Sequence, residues 1–198
     1  MSMASGLNDY VHDSQRTFRS VLEALSLPGR ILRSGLIVEG IPIGAAMSHI
    51  LLTLADSDTK IWWSPFCEES ENCAQWLRFH TGAVNCASME SANFAVITQA
   101  ETVPAFNFFS LGSDESPHTS CTLLIELSCF ESGPMVEWRG PGIANHLPIR
   151  LGGLPHDFWL NWQKNHVSFP KGIDVIFTCG EYLIGLPRTT RVSRVEGI

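Results

Sequence analysis

The chain has 198 residues, of which 44% are hydrophobic and 17% are charged, so it holds enough apolar material for one globular domain with a buried core. Its formal net charge of -7 argues against nonspecific binding to nucleic acid or to anionic membranes, because both surfaces repel an acidic protein. The most apolar stretch, 35–55, is interrupted by Glu39, Pro42 and His49 and falls short of the roughly 20 apolar residues that span a bilayer.

The first predicted helix follows a lead-in over residues 1–12 that we expect to be mobile. Asp13 is expected to cap this helix, and Pro28-Gly29 is expected to end it. Between them, apolar residues recur at the i, i+3, i+4, i+7 spacing of a helix. They predict a stripe that faces the core: Phe18, Val21, Leu22 and Leu25.

Two further helices are predicted before residue 82. The segment 44–55 is apolar nearly all round, which indicates a buried helix, and the turn 56–59 follows it. A third helix over 68–80 ends with Arg78 and His80. The helix dipole favours basic residues in a last turn, so these two are either structural or candidate contacts for a ligand or partner.

The rest of the chain alternates predicted strands with turns. The polar loop 112–120 is expected to be disordered, and a last helix is predicted over 157–165. Because helices and strands interleave without a repeat, we predict an α/β fold in which helices cover both faces of a mixed sheet. This predicts a single three-layer α/β/α domain over 1–198, with strands at 60–64, 94–97, 122–127, 136–138, 173–177 and 182–186.

The six cysteines are scattered, with no Cys-x-x-Cys pair and no secretory pattern at the start of the sequence. In a chain of this size the pattern predicts reduced thiols and a cytoplasmic protein. The cysteines and the seven histidines do not cluster at the spacings of zinc ligands, so the sequence predicts no metal site.

Candidate site residues gather where the last two predicted strands begin and end. Arg188, Thr189 and Thr190 offer guanidinium and hydroxyl donors that suit a phosphate, a carboxylate or the acidic side chains of a partner, although arginines near the end of a chain are often merely solvated. Asp174 begins the first of these strands. Cys179 follows that strand at a Gly turn, where it is either a packed residue or an accessible thiol.

Common catalytic motifs are missing: the sequence has no Gly-x-Ser-x-Gly, Walker-type or dinucleotide-binding Gly-rich motif, and no His-Glu-x-x-His. Two autonomous enzymes stay open as alternatives. One is a pyridoxal phosphate enzyme with Lys171 as the Schiff-base lysine and Asp174 as its acidic partner. The other is a thiol-dependent enzyme that uses Cys179.

Five stretches, in order along nearly the whole chain, resemble the PhnH family of the bacterial carbon-phosphorus lyase system. The longest is the run 169–190, which holds most of the candidate site residues. The others are RTFR at 16–19 with LSLPG at 25–29, LLTLADSDT at 51–59 with Trp62, RFHT at 78–81, and GPGI at 140–143.

The resemblance implies a cytoplasmic subunit of phosphonate catabolism with a fold similar to the large domain of pyridoxal phosphate-dependent transferases, but without that cofactor. It implies a homodimer when isolated and a core complex with PhnG, PhnI and PhnJ. With PhnG, PhnI and PhnL, such a subunit supports the displacement of adenine from MgATP by an alkylphosphonate, which gives a ribose 1-phosphonate 5-triphosphate. A phosphonate or nucleotide ligand is therefore expected, whereas no catalytic residue is carried over.

Overall fold

A computed structural model describes residues 6–34 and 41–194, and these residues form four α-helices and ten β-strands. The helices are Tyr10–Ser26 (α1), Ala45–Leu54 (α2), Ser70–Thr81 (α3) and Phe158–Val167 (α4). The strands are Leu32–Arg33 (β1), Lys60–Trp63 (β2), Val84–Asn85 (β3), Phe94–Ile97 (β4), Thr122–Glu126 (β5), Met135–Arg139 (β6), Leu147–Arg150 (β7), Asp174–Cys179 (β8), Tyr182–Leu186 (β9) and Arg191–Arg194 (β10).

Seven strands form a central mixed sheet in the order β1-β9-β8-β5-β4-β2-β3. Strands β3, β2, β4, β5 and β8 run parallel to one another, whereas β9 is antiparallel to β8, and β1 is in turn antiparallel to β9. Register places Ile176 of β8 between Leu124 of β5 and Gly185 of β9. The prediction of a mixed α/β fold is confirmed.

Successive residues of the parallel strands alternate between two hydrophobic cores, as the period of two in a strand requires. Val96, Leu124 and Ile176 face the core that α1, α2 and α3 cover. Their neighbours along the same strands face the other core, among them Ala95, Leu123, Ile125, Val175 and Phe177. Each central strand is therefore buried on both faces, which explains why these strands are almost wholly apolar.

The second face of the sheet is covered by α4 together with a small antiparallel sheet, ordered β10-β6-β7. Its inward residues Val136, Trp138 and Val192 alternate with outward residues and join the core of the central sheet. The prediction of one sheet with helices on both faces was incomplete. The small sheet was missed because its strands are short and because β10 joins β6 from far along the chain.

Helix α1 begins earlier than predicted. Asp9, not Asp13, is its N-cap, and the Asp9 side chain accepts a hydrogen bond from the His12 backbone N–H at 3.1 Å. Asp13 instead accepts a hydrogen bond from the Asp9 N–H at 3.0 Å. Part of the lead-in predicted over 1–12 is thus the first turn of α1, while residues 1–5 lie outside the described residues.

The predicted apolar stripe of α1 does not all face the core. Thr17, Val21 and Ala24 are the buried residues of this helix, whereas Phe18 is 47% exposed and Leu22 is 52% exposed. The apolar face of α1 is therefore wider than the surface that α2 and β9 cover, which leaves apolar side chains on the outside of the helix.

Other local predictions are confirmed with shifted boundaries. Helix α2 is buried over most of its length. In the turn after it, Asp56 accepts hydrogen bonds from the Asp58 N–H at 3.0 Å and from the Thr59 hydroxyl at 2.7 Å, as expected of an Asp turn. The prediction of disorder over 112–120 was wrong, because the loop has a defined conformation that includes a 3-10 turn at Pro117–Thr119.

Candidate functional site

Arg188 and Asp174 form an ion pair where β8 begins and β9 has just ended. The Arg188 Nη2 contacts Asp174 Oδ2, its Nε lies 3.2 Å from both carboxylate oxygens, and its backbone N–H donates to Oδ1 at 2.7 Å. The side chains are 14% and 19% exposed, so the pair is largely withdrawn from solvent. Antiparallel pairing of β8 and β9 brings together these two residues, which are 14 apart in sequence.

The remaining donors of Arg188 hold the loop 112–120 and the turn before β8. Its Nη2 donates to the Ser120 hydroxyl at 2.6 Å, and its Nη1 lies 2.8 Å from the Pro117 carbonyl and 3.4 Å from the Pro170 carbonyl. All five guanidinium N–H groups thus have acceptors within the chain. The geometry favours a structural role for Arg188 and Asp174, since a ligand would have to displace these bonds.

The two threonines after Arg188 differ in exposure. Thr190 is fully buried, and its carbonyl accepts a hydrogen bond from the Trp162 indole N–H at 2.9 Å. Thr189 is half-buried and lines a cleft of about 510 Å³. Only Thr189 is therefore placed to meet a ligand without a rearrangement. The cleft is also lined by Arg139, Gly140, Pro141, His166, Phe169 and Arg191.

Basic side chains from two neighbouring strands line this cleft. Arg139 and Arg191 face each other in the antiparallel register of β6 and β10. Arg139 is paired with Glu137, whose Oε1 is 2.6 Å from the Arg139 Nε, whereas Arg191 donates from its Nε to the His166 Nε2 at 3.1 Å. The cleft lining therefore carries two guanidinium groups, of which only that of Arg139 is paired with a carboxylate.

Sequence reasoning missed Arg139, His166 and Arg191 as one group, although the motif at 140–143 follows Arg139 directly. The pairing of β6 with β10 and the packing of α4 against β10 bring them together. No spacing in the sequence encodes these contacts. One indication of a functional region did exist in the sequence. The 140–143 motif and the 188–191 segment both lie just after predicted strands, where binding residues are often found.

A second group of polar side chains follows the carboxyl ends of the parallel strands. Cys67 lies beyond β2, Thr98 beyond β4, Glu126 at the end of β5 and Cys179 at the end of β8. These four strands are neighbours in the sheet. In open α/β sheets this edge is where ligands generally bind, so we treat it as a second candidate region.

Glu126 is the ionisable group at the centre of this edge. Its Oε2 accepts a hydrogen bond from the Gly44 N–H at 3.3 Å, at the start of the buried helix α2. Burial raises the pKa of the Glu126 carboxyl, and the Gly44 hydrogen bond opposes that shift. A Cβ on Gly44 would lie 2.1 Å from Glu126 Oε1, so a glycine is required there for the carboxyl group to pack against the helix start.

The thiols at this edge differ in their ionisation. Burial raises the pKa of Cys179, with smaller contributions from Cys129 and Glu126, so its thiol form is favoured. Its Sγ lies 3.4 Å from the Ser128 carbonyl oxygen. Because its pKa is raised, Cys179 has little of the thiolate character that a nucleophile needs. At Cys67, by contrast, a hydrogen bond from Cys73 lowers the pKa to about 7, and the same interaction raises the pKa of Cys73.

The structure does not bring Arg78 and His80 to either region. Both lie in the last turn of α3, directly before the edge strand β3, and Arg78 is exposed. His80 packs edge-to-face against Trp76 and Phe79, with ring centroids 5.6 Å and 5.1 Å apart. Strands β2, β4, β5 and β8 separate β3 from β9, after which Arg188 lies.

Lys171 lies in the turn before β8, where its Nζ is 3.3 Å from the Asp114 carboxylate. Asp174, its predicted acidic partner in a pyridoxal phosphate site, is bound instead by Arg188. Within residues 6–34 and 41–194, no group of three or more His, Cys, Asp or Glu side chains is arranged to hold a metal ion. No helix among these residues has the length and apolar character needed to cross a membrane.

The chain matches a family of bacterial phosphonate metabolism proteins over residues 5–193. That family is PhnH, and the chain belongs to it. A Rhizobium meliloti (strain 1021) protein named alpha-D-ribose 1-methylphosphonate 5-triphosphate synthase subunit PhnH is 38% identical over 187 residues, which cover 94% of this chain and 93% of that protein. The resemblance carried by the five motifs is confirmed.

A second relative comes from Stutzerimonas stutzeri and is named putative C-P lyase subunit protein HtxG. It is 29% identical over 179 residues, which cover 90% of this chain and 85% of that protein. Both relatives are thus named as subunits of larger assemblies, and both match almost the whole chain.

Proposed function

We propose that the chain is a subunit of the enzyme complex that forms an alkylphosphonate ribose 5-triphosphate from MgATP and a phosphonate in organic phosphonate catabolism. The observation that carries the proposal is the 38% identity, over nearly the full length of both chains, to a protein named as a subunit of such a synthase. The second relative, named as a C-P lyase subunit, supports the same assembly. The proposed location is the cytoplasm.

The proposed partners are PhnG, PhnI and PhnJ in a core complex, with PhnL acting alongside them, and the isolated chain is proposed to form a homodimer.

One surface of the chain suits contacts with another subunit. Val11, Phe18 and Leu22 follow each other at seven and four residues along α1, which places them on one side of the helix. They are 71%, 47% and 52% exposed, and Arg16 and Arg19 flank them. We propose that another subunit covers this side of α1, because exposed apolar stripes on a soluble chain often mark interfaces.

We further propose that the fold is similar to the large domain of pyridoxal phosphate-dependent transferases and that the chain does not use that cofactor. Two contacts support the proposal that the cofactor is not used. Asp174 is bound by Arg188, and Lys171 is paired with Asp114 at the surface, so neither is arranged as a cofactor-binding residue. The raised pKa of Cys179 likewise argues against a thiol-dependent enzyme.

Co-purification with the other subunits tests the proposed function. The tagged chain, co-expressed with PhnG, PhnI and PhnJ from the same organism, is expected to recover all three in fixed ratio. Deleting the chain is expected to leave a complex that lacks this component and forms no ribose 5-triphosphate product. A complete, active synthase in the absence of the chain would contradict the proposal.

Charge substitutions on α1 test the proposed contact surface. Phe18→Glu with Leu22→Glu is expected to abolish recovery of at least one partner while the isolated chain keeps its circular dichroism spectrum. Leu160→Glu is the matched control, because Leu160 is 49% exposed on α4 and lies outside this surface. Equal recovery by both variants would place the interface elsewhere.

A further inference from the structure

Arg191 carries a charge that the described part of the chain does not neutralise. Its Nε donates to His166, but no carboxylate of residues 6–34 or 41–194 lies within 4 Å of its guanidinium group. The four N–H groups on Nη1 and Nη2 have no hydrogen-bond acceptor among those residues. Arg188, three residues earlier, has all five donors occupied, so the two arginines differ sharply although they are close in sequence.

His166 fixes the direction of Arg191 without adding charge. The His166 Nδ1 lies 2.9 Å from the Arg188 carbonyl oxygen, which only accepts hydrogen bonds, so Nδ1 carries the ring hydrogen. The Nε2 then has a free lone pair and accepts from the Arg191 Nε. The neutral ring therefore holds one edge of the guanidinium group and leaves the other edge open.

Arg139 places a second positive charge beside the first. Arg139 and Arg191 are directly opposite each other across the β6–β10 ladder, and both are on the outward face of the small sheet. Like charges at such positions destabilise a sheet. Glu137 offsets only one of the two charges, which leaves an excess positive charge in a chain whose formal net charge is -7. An anion in the cleft would remove this repulsion.

The other walls of the cleft supply a hydroxyl group and an apolar surface. Thr189 lines the cleft together with the two arginines, and Pro141 and the 56% exposed ring of Phe169 complete the lining. Gly140 is required here, because its φ is 152° and a Cβ would lie 3.0 Å from the Thr189 carbonyl oxygen. The volume of about 510 Å³ is within the range of small-molecule sites.

We propose that this cleft binds a phosphorylated nucleoside. The phosphate groups contact the open edges of Arg191 and Arg139 and the Thr189 hydroxyl, since guanidinium groups bind phosphate oxygens in pairs. The nucleoside lies against Phe169 and Pro141. A concave cleft with an aromatic wall suits such a ligand better than the acidic segment of a protein partner, which needs a longer surface. The choice of an adenine nucleotide as the probe rests on the proposed function, whereas phosphate recognition rests on the geometry alone.

Isothermal titration of the full chain with ATP, tripolyphosphate and adenosine tests the inference. ATP is expected to bind, tripolyphosphate to bind more weakly, and adenosine to bind weakest, with the ATP affinity falling as salt increases. Arg191→Ala is expected to reduce the affinity for ATP and for tripolyphosphate by about tenfold or more, the usual effect of losing a charged hydrogen bond. Phe169→Ala is expected to reduce only the ATP affinity, so that ATP and tripolyphosphate bind alike.

Arg150→Ala is the matched control, because Arg150 lies on β7 of the same small sheet and its Nη1 bonds the Gly133 carbonyl at 3.0 Å, outside the cleft. Its ATP affinity is expected to equal that of the unmodified chain. If the unmodified chain binds neither ATP nor tripolyphosphate, or if Arg191→Ala binds both normally, the inference is overturned. Loss of partner recovery by Arg191→Ala with unchanged ATP affinity would identify the cleft as a protein contact instead.

These outcomes separate the inference from the proposed function. A chain that co-purifies with its partners but binds no nucleotide refutes the inference and leaves the proposed function standing. A chain that binds ATP through Arg191 but recovers no partner supports the inference and refutes the proposed function.

Discussion

Two carboxylates at opposite ends of the central sheet have opposite environments. Asp174, where β8 begins, is bound by the guanidinium and backbone N–H of Arg188. Glu126, where β5 ends, has one hydrogen bond from a backbone N–H and no cation within 4 Å among the described residues. Both groups are largely withdrawn from water, and burial raises the pKa of the Glu126 carboxyl, which has no cation beside it.

The comparison indicates that the two ends serve different purposes. At the amino ends of the parallel strands, which we call the amino end of the sheet, Arg188 and Asp174 find their hydrogen-bond partners within the chain. These bonds fix the loop 112–120 and the start of β8. At the carboxyl end, the ionisable groups are left partly unsatisfied. Such groups tend to mark functional sites, because stability alone would favour an apolar residue or a paired charge there.

The largest expected effect comes from removing the cation at the amino end. Arg188→Ala leaves the Asp174 carboxylate uncompensated, and we expect the free energy of unfolding to fall by about 3 kcal/mol. Urea denaturation of the isolated chain measures it. The control is Arg33→Ala, whose partner is Glu181 and whose side chain is 60% exposed, so a loss of under about 1 kcal/mol is expected. Equal losses of stability in the two variants would mean that the buried Arg188–Asp174 pair contributes no more than an exposed ion pair.

Asn165 supports the same end from helix α4. It is buried, its Oδ1 accepts from the Ile173 N–H at 2.8 Å, and its Nδ2 donates to the Ile173 carbonyl at 3.0 Å. Asn165→Leu leaves both backbone groups unpaired, so we expect a loss of about 2 kcal/mol in urea denaturation. Asn161→Leu, which removes only a surface bond to Asp157, is expected to change stability little. An unchanged midpoint for Asn165→Leu would show that water replaces the amide.

Replacing the carboxyl group at the other end is expected to have a smaller, pH-dependent effect. Since the folded-state pKa of Glu126 is raised, the folded chain binds more protons than the unfolded chain just above pH 4.5, and Glu126 costs stability as pH rises through that window. Glu126→Gln removes this cost. The stability of the variant relative to the unmodified chain should therefore increase from pH 4 to pH 7, measured by thermal denaturation. A constant difference across this range would contradict the raised pKa.

The smallest expected effect concerns thiol reactivity at the carboxyl end. Burial raises the pKa of Cys179, whereas hydrogen bonding with the Ser132 side chain lowers the pKa of Cys129. We expect iodoacetamide to label Cys129 faster than Cys179 at pH 7.5, as peptide mass spectrometry can follow. Comparing Cys129→Ser with Cys179→Ser separates the two sites. Rapid, stoichiometric labelling of Cys179 would revive the thiol-dependent alternative.

The sequence predicted elements whose side chains repeat with a local period. Helix α2 and strands β4, β5 and β8 were found because each is buried on every side and so reads as an apolar run. The start of α1 was missed because both Asp9 and Asp13 suit a cap. Phe18 and Leu22 were misassigned because an apolar stripe alone does not show how much of it is covered.

The candidate sites depended on pairing between distant strands, which no local pattern reveals. Arg188 was singled out as a ligand contact, but its acceptors come from residues 14 to 71 positions away in sequence. Arg191 directly follows the residues that were singled out, but only the fold shows that it lies opposite Arg139 and carries an unneutralised charge. Motif resemblance located the right segment, while the role of each residue required the fold.

Both outer strands of the seven-stranded sheet, β1 and β3, are only two residues long. Strands this short expose few free backbone groups, and the outer strand β7 of the small sheet contains Pro148, which lacks a donor. These three outer strands therefore offer a neighbouring molecule few backbone groups with which to extend a continuous ladder. Contacts at these three edges depend on side chains, which makes partner choice there sensitive to single surface substitutions and opposes edge-to-edge aggregation.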